Sequence, residues 1–550
     1  MKFYFIKRII PIRRSAMTDI EREGESYCGH LLLKIRRKKV RKEELNTTKR
    51  ETDKPVLIIS GGLLILFVIF AMIDLSQVES WINTSFAFSA KYFGSYWEVL
   101  LLANFVIGLV LAFTKYGKVR LGKKEKPENG YYRWVSMILC TLLASGGVFW
   151  AASEPMSHFI SNPPLFDDNS STLAGVEPAL AQSFFHWGFL AWAILGTLAT
   201  IVLMYAHYHK GYPMKPRAFL YPVFGEKIFR KNSVIGSAAD IISIVAVAAG
   251  TMGPIGFLGL QLGYGLHSLF GVPNTLTTNI IIVSGLLVIA AISVASGVDR
   301  GIQLLSRMNV GLTVFLAACI LVLGPTMFIL NKFVSAEGFH IQNMLTMALY
   351  QGDQAWLGWW TVFFWGWFLG YGPMMAIFIA RISRGRTIRD LIIAVSIVAP
   401  LVTNFWFTVV GGTGIKAELD NPGSISEPFA AGGMPAAVMA IMDQLPLGYL
   451  LAIGFLIVTL VFVATTVDSI SYTVAVTLTG DDRPNRMLRV FWVIIFGLMS
   501  IMLLAIGEGS ISAIQNSIVV TAVPVSIIML PTLWGAVKIA RKLAVDQNIK

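Results

Sequence analysis

Twelve apolar stretches of about 20 residues recur along this 550-residue chain, each long enough to cross the roughly 30 Å hydrocarbon core of a bilayer as a helix. They fall at about 55–76, 95–114, 134–153, 180–205, 236–262, 276–297, 308–331, 358–380, 390–411, 447–477, 490–507 and 515–537. A β-barrel would show alternating segments of about 10 residues, whereas Val56 to Ala71 is apolar throughout apart from Ser60 and two glycines. With 55% hydrophobic residues, 14% charged residues and a mean hydropathy of +0.65, the chain is too apolar for a soluble globule. The expected class is an all-α membrane protein of twelve transmembrane helices.

A net charge of +13 raises the question of nucleic acid, and the placement of the 45 Lys and Arg residues answers it. The first 54 residues hold 16, and the alternate loops from Lys115, Lys210, Arg300, Arg381, Arg483 and Lys538 onward hold 26. Only Lys91, Lys332 and Lys416 lie elsewhere. Basic loops resist translocation, so this partition puts both termini in the cytoplasm of a bacterial inner membrane, with no role for nucleic acid. The tail at 1–54 includes the run Lys34-Ile35-Arg36-Arg37-Lys38-Lys39-Val40-Arg41-Lys42, cannot bury a core, and is expected to be solvated or to lie on anionic lipid. Its apolar start is too short and too charged for a signal peptide, and Met17 is an alternative first residue.

Enzyme chemistry finds no footing. The spans carry no paired carboxylates, no HExxH motif and no nucleophile–base spacing, and no cofactor is expected. Cys28, Cys140 and Cys319 offer neither a disulfide framework nor a metal-binding spacing, and the closest histidines, His207 and His209, sit at the cytoplasmic end of the fourth span. Between the seventh and eighth spans, Phe333 to Leu349 reads as an external amphipathic helix lying along the interface. Trp356, Trp359 and Trp360 beside it read as an interfacial aromatic belt.

The eighth span is too aromatic and too rich in Gly and Pro for routine lipid-facing helix. Phe364, Trp367, Phe368 and Tyr371 follow i, i+3, i+4, i+7 and share a face, while Gly370-Tyr371-Gly372-Pro373 is expected to open or kink the helix beside them. The fourth span adds Phe184-Phe185-His186-Trp187-Gly188-Phe189-Leu190-Ala191-Trp192. On an ideal helix Trp187 and Trp192 are separated by about 140°, so they meet one cavity only at its edges. Aromatic faces attract cations, by about 2 kcal/mol or more when desolvated, and trimethylammonium groups are caged in this way.

Trp360-Thr361-Val362-Phe363-Phe364-Trp365, leading to Phe378-Ile379-Ala380-Arg381-Ile382-Ser383-Arg384-Gly385-Arg386-Thr387-Ile388-Arg389, resembles the signature of the betaine/choline/carnitine transporter family. Ser153-Glu154-Pro155, Phe185-His186-Trp187-Gly188, Ser296-Gly297-Val298-Asp299-Arg300-Gly301-Ile302 and Thr465-Thr466-Val467-Asp468-Ser469 support the likeness, which covers roughly 55–540. It implies a LeuT-like core of two inverted five-helix repeats, at 134–331 and 358–540. Two additional helices at 55–133, the external helix at 332–357 and a short C-terminus at 541–550 complete the organisation. It further implies a homotrimer, assembled through the external helix, that carries a quaternary-ammonium solute by alternating access.

Carried over residue by residue, the family's cage matches Trp187 and Trp192, with Leu195 where a Tyr is usual. The eighth span contributes Phe364, Trp367, Tyr371 and Phe368, the last in place of a usual Trp. The glycine-rich motif of sodium-coupled members aligns with Leu142-Leu143-Ala144-Ser145-Gly146, and Met252-Gly253-Pro254-Ile255-Gly256 lacks two family hydroxyls. Ala144, Ser145, Thr465, Thr466 and Asp468 are therefore the implied ion-binding positions, for Na⁺ or H⁺. Arg381, Arg384 and Arg386 are implied in cytoplasmic gating. Uptake of glycine betaine, choline or carnitine is the leading expectation. Its rivals are sodium-independent precursor/product exchange, carriage of another zwitterionic osmolyte, and an osmosensor without transport.

Overall fold

The computed structural model describes residues 52–142, 146–296, 299–479, 484–507 and 511–549. The basic tail therefore lies almost wholly outside the described residues, as do Ala144 and Ser145. Among the described residues, regular structure is helical apart from one isolated antiparallel bridge between Arg120 and Thr387. Ten helices are long and apolar enough to cross a membrane, or eleven if Met308–Leu323 and Thr326–Ala348, bent by 107°, form one span.

The third of the twelve expected crossings is described in two pieces, Tyr131–Leu142 and Val148–Ile160, of 12 and 13 residues, each too short to span a bilayer alone, and residues 143–145 between them lie outside the described residues. Other boundaries move for local reasons. The second span, expected at 95–114, belongs to a 39-residue helix, Leu75–Phe113. Asp74 caps it by accepting the Gln77 backbone N–H at 2.9 Å, which starts the helix inside sequence too polar to register as apolar.

The seventh span ends at Leu323, earlier than its hydropathy suggests. Gly324 and Pro325 turn the chain, and the helix expected from Phe333 begins at Thr326 and runs to Ala348. It buries Ile329, Ala336, Glu337, His340 and Met347 while exposing Met327, Val334, Ile341 and Leu345.

The eighth span does not open at Gly370-Tyr371-Gly372-Pro373. Phe363–Ile382 is one helix with Pro373 inside it, and the irregularity is a π turn at Gly358–Val362. A π turn inserts a residue and re-phases the side chains around it. Trp360 is accordingly buried, 7% exposed against 37% for Trp359, so the interfacial-belt reading fails for Trp360.

The broken element is the fourth span. It is built from Val176–Trp187, Phe189–Gly196 and Leu198–Met204, interrupted at Gly188 (ψ −129°) and Thr197 (ψ −90°). Every residue of the three pieces except Glu177 in the first turn is buried, so the breaks face protein, the only place where irregular backbone is tolerated at membrane depth.

Candidate functional site

The break at Gly188 decides where the two tryptophans of the fourth span point. A helical wheel drawn across Gly188 is invalid, and Trp187 and Trp192 part company. Trp192 Nε1 donates to Thr403 Oγ1 at 3.1 Å, on the Ala399–Asp420 helix. Trp187 instead meets Phe364, Trp367, Phe368 and Phe407, with ring centroids 5.6, 5.7, 5.5 and 5.3 Å away.

The eighth-span stripe supplies the rest of this cluster. Trp367 and Phe368 lie parallel at 6.1 Å with an interplanar angle of 3°, and Phe364 stacks on both, at 6.4 and 6.2 Å. Trp367 is pinned at two further points. Its Nε1 donates to Gly250 O at 3.1 Å, and Gly146 sits so close that a Cβ there would lie 2.5 Å from Trp367 Cη2. Tyr371 closes on the same helix, since a Cβ at Gly250 would lie 2.6 Å from Tyr371 Cδ2. Trp187, Phe364, Trp367 and Phe368 are 0–2% exposed. Their separations are those of rings in contact, so a ligand lying between them requires one ring to swing aside.

Sequence reasoning missed the polar support of this cluster. Glu154, in the Ser-Glu-Pro motif, is buried on Val148–Ile160. Its Oε2 accepts Trp187 Nε1 at 2.7 Å and its Oε1 accepts His186 Nδ1 at 2.6 Å. His186 Nε2 is then an acceptor, facing Thr361 Oγ1 at 3.1 Å and Gln182 Nε2 at 3.0 Å. His158 Nε2 lies 3.5 Å from Glu154 Oε1, and ligating atoms of Glu154, His158 and His186 all fall within 4.8 Å of one another. The i, i+4 spacing of Glu154 and His158 was the available signal. Both carboxyl oxygens have a ring N–H within hydrogen-bond distance, whereas His158 Nε2 is buried with no hydrogen-bond partner. Phe407 and Trp150, whose ring lies 5.1 Å from Phe364, are further members that the stripe did not reveal.

The implied gating arginines divide into two sets. Arg384 Nε donates to Gly122 O at 3.0 Å, and Arg386 Nη2 donates to Asn129 O at 2.7 Å while lying 4.4 Å above the Trp134 ring. Backbone bonds from Leu121 to Arg386 and from Ile388 to Val119, both 2.9 Å, fasten this segment to the loop after the second span. Arg381 reaches elsewhere, to Tyr472 Oη at 3.5 Å. The Arg489 guanidinium lies 5.5 Å from the Tyr472 ring and pairs with Asp468, so three helices meet at this polar group. Thr465 Oγ1 donates to Val461 O of its own helix at 2.9 Å, and Thr466 is buried. Of the implied ion positions that are described, Asp468 is the one paired with the buried Arg489 guanidinium.

Comparison with known proteins bears on what such a site serves. Residues 55–545 match the model of the betaine/carnitine/choline family transporters (BCCT). Over 499 residues the chain is 52% identical to glycine betaine transporter 2 of Vibrio parahaemolyticus, covering 91% of this chain and 92% of that protein. It is 33% identical to the glycine betaine transporter OpuD of Bacillus subtilis over 84% of this chain and 90% of that one. Likeness to the ectoine/hydroxyectoine transporter of Virgibacillus pantothenticus is 30%, over 88% of this chain and 95% of that one. A multi-pass membrane chain matched to this family from its first apolar helix to its last, and not an enzyme, it belongs to the betaine/carnitine/choline transporters.

Proposed function

We propose that the chain takes up glycine betaine, or a solute with the same trimethylammonium group, by alternating access coupled to a Na⁺ or H⁺ gradient. The observation that carries this reading is the meeting of Trp187 with four other rings at 5.3–5.7 Å inside the bundle. π faces are what a quaternary ammonium, which has no hydrogen to donate, can bind. The 52% identity to a glycine betaine transporter supports the same choice.

In this reading the twelve crossings are the ten long apolar ones, the bent pair, and 131–160 taken together, arranged as two inverted five-helix repeats with both termini on the cytoplasmic side of an inner membrane. Three copies assemble through Thr326–Ala348, and anionic lipid covers the basic cytoplasmic face. The cytoplasmic exit opens when Arg381 parts from Tyr472, while Arg384 and Arg386 stay on their loop. Thr465 and Thr466, with Ala144 and Ser145, are the candidate ion ligands.

A second reading, sodium-independent exchange, is favoured by one observation. Asp468 is already paired with the Arg489 guanidinium, so a cation at that carboxylate must displace a built-in one. Carriage of choline, carnitine or another zwitterion such as ectoine is the alternative on the substrate side.

The test is equilibrium binding of labelled glycine betaine to purified protein. Removing one desolvated cation–π face of about 2 kcal/mol by Trp187→Leu should weaken binding by about 30-fold. Unchanged affinity would move the site away from Trp187.

A further inference from the structure

Glu154 is a buried carboxyl bonded to the ring cluster through Trp187 and His186, and the carriage of a solute as described so far gives it no part. We propose that Glu154 is a positioning residue of the cage, holding the Trp187 indole and the His186 ring in place around Phe364. This rests on the reading of Trp187 as a cage ring.

The geometry argues for it in three steps. A carboxylate accepts and does not donate, and here each oxygen takes a different N–H: Oε2 that of Trp187 at 2.7 Å, Oε1 that of His186 at 2.6 Å. Both partners lie against Phe364. The His186 ring stacks on it at 4.8 Å, and Trp187 meets it edge to face at 5.6 Å. One side chain on a neighbouring helix therefore orients two of the rings around a third.

Glu154 is itself fixed. Pro155 beside it presses on Gly411, where a Cβ would come within 2.5 Å of the proline ring, and Ser153 Oγ donates to Met434 O at 3.0 Å. Gly411 belongs to Ala399–Asp420, the helix that carries Phe407, so this contact ties the carboxylate to a fourth ring of the cluster. The groups facing Glu154 are His186 and His158, with Thr361 and Gln182 behind His186; His340 and Glu337 on Thr326–Ala348 stand one layer further out.

A double-mutant cycle on the full-length purified protein tests this, with labelled glycine betaine binding as the readout and thermal stability measured alongside. Glu154→Gln leaves an amide that accepts from only one of the two N–H donors. Trp187→Phe keeps a π face but has no N–H. Each single change should raise Kd about tenfold, as expected for losing one buried hydrogen bond, and the double variant should bind no worse than the weaker single one. A purely structural Glu154 predicts lowered stability with Kd within twofold of wild type, and independent roles predict multiplying effects; either result overturns the proposal. Should Glu154→Gln not fold, Trp187→Phe decides alone, because unchanged affinity there means the Glu154 bond does not matter. Trp187→Leu separates the two levels: if it leaves Kd unaltered the cage reading fails, whereas if it weakens binding and Glu154→Gln does not, only the role of Glu154 fails.

Discussion

At the scale of residues, the structure sorts aromatic side chains that look equivalent in sequence. Trp187 and Trp192 are both fully buried, yet one joins a cluster of rings and the other spends its indole N–H on Thr403. Trp192→Phe, which keeps the ring and removes that donor, should lower thermal stability and leave glycine betaine affinity within about twofold, a neutral hydrogen bond being worth only about 1 kcal/mol. Gly250 is the converse case, because the smallest side chain would collide with Tyr371 while lying 3.6 Å from Trp367 Cδ1. Overpacking of this kind costs about 1–3 kcal/mol, so Gly250→Ala should cut uptake about tenfold or more in transport assays. The stripe of Phe364, Trp367, Phe368 and Tyr371 was legible because helical spacing puts those residues on one face, and Trp187 because of the family likeness. Glu154 and Phe407 were not, because the rings they meet stand on other helices, a relation no local period encodes; the i, i+4 spacing of Glu154 and His158 was the one local sign.

At the scale of elements, the apolar spans were largely legible because hydrocarbon thickness sets their length. Their ends and breaks were not. Asp74 starts a helix in polar sequence, Gly324-Pro325 turns a continuous apolar run by 107°, and Pro373 sits in an unbroken helix where a kink was expected. The break came at Gly188, where an added Cβ would lie 2.3 Å from the Phe184 carbonyl oxygen and 3.3 Å from Asn404 Nδ2, so there is no room for a side chain. Gly188→Ala should therefore abolish glycine betaine uptake or lower it at least tenfold in intact cells, while near-wild-type uptake would show that the break can be spared.

A second element-scale prediction concerns the entry to the first span. Asp53 accepts from Lys215 Nζ at 2.8 Å and pairs with Arg217 at 3.3 Å. Burial pushes its carboxyl up, but Lys215 and Arg217 outweigh burial and hold it below the ordinary carboxylate value. A carboxyl with a depressed pKa contributes stability above its unfolded value and loses it as pH falls through the folded one. Asp53→Asn should thus melt a few degrees lower than wild type at pH 7, with the gap closing below about pH 4.

At the scale of the whole molecule, a chain with the wrong composition for water puts eight of its largest buried side chains, all tryptophans, inside the bundle. Several of them converge where broken and unbroken helices meet, and Arg381, Arg489, Tyr472 and Asp468 form a separate polar group. In the proposed function the aromatic centre receives the solute and the polar group seals one side of the bundle. The most direct measurement is uptake of labelled glycine betaine into proteoliposomes of the purified protein, with and without an inward sodium gradient. Accumulation that is competed by unlabelled glycine betaine and lost in Trp187→Leu is the expected result, the sodium arm deciding between gradient-driven uptake and exchange. Proteoliposomes that neither accumulate nor exchange glycine betaine, with correctly folded protein in the membrane, would contradict the account.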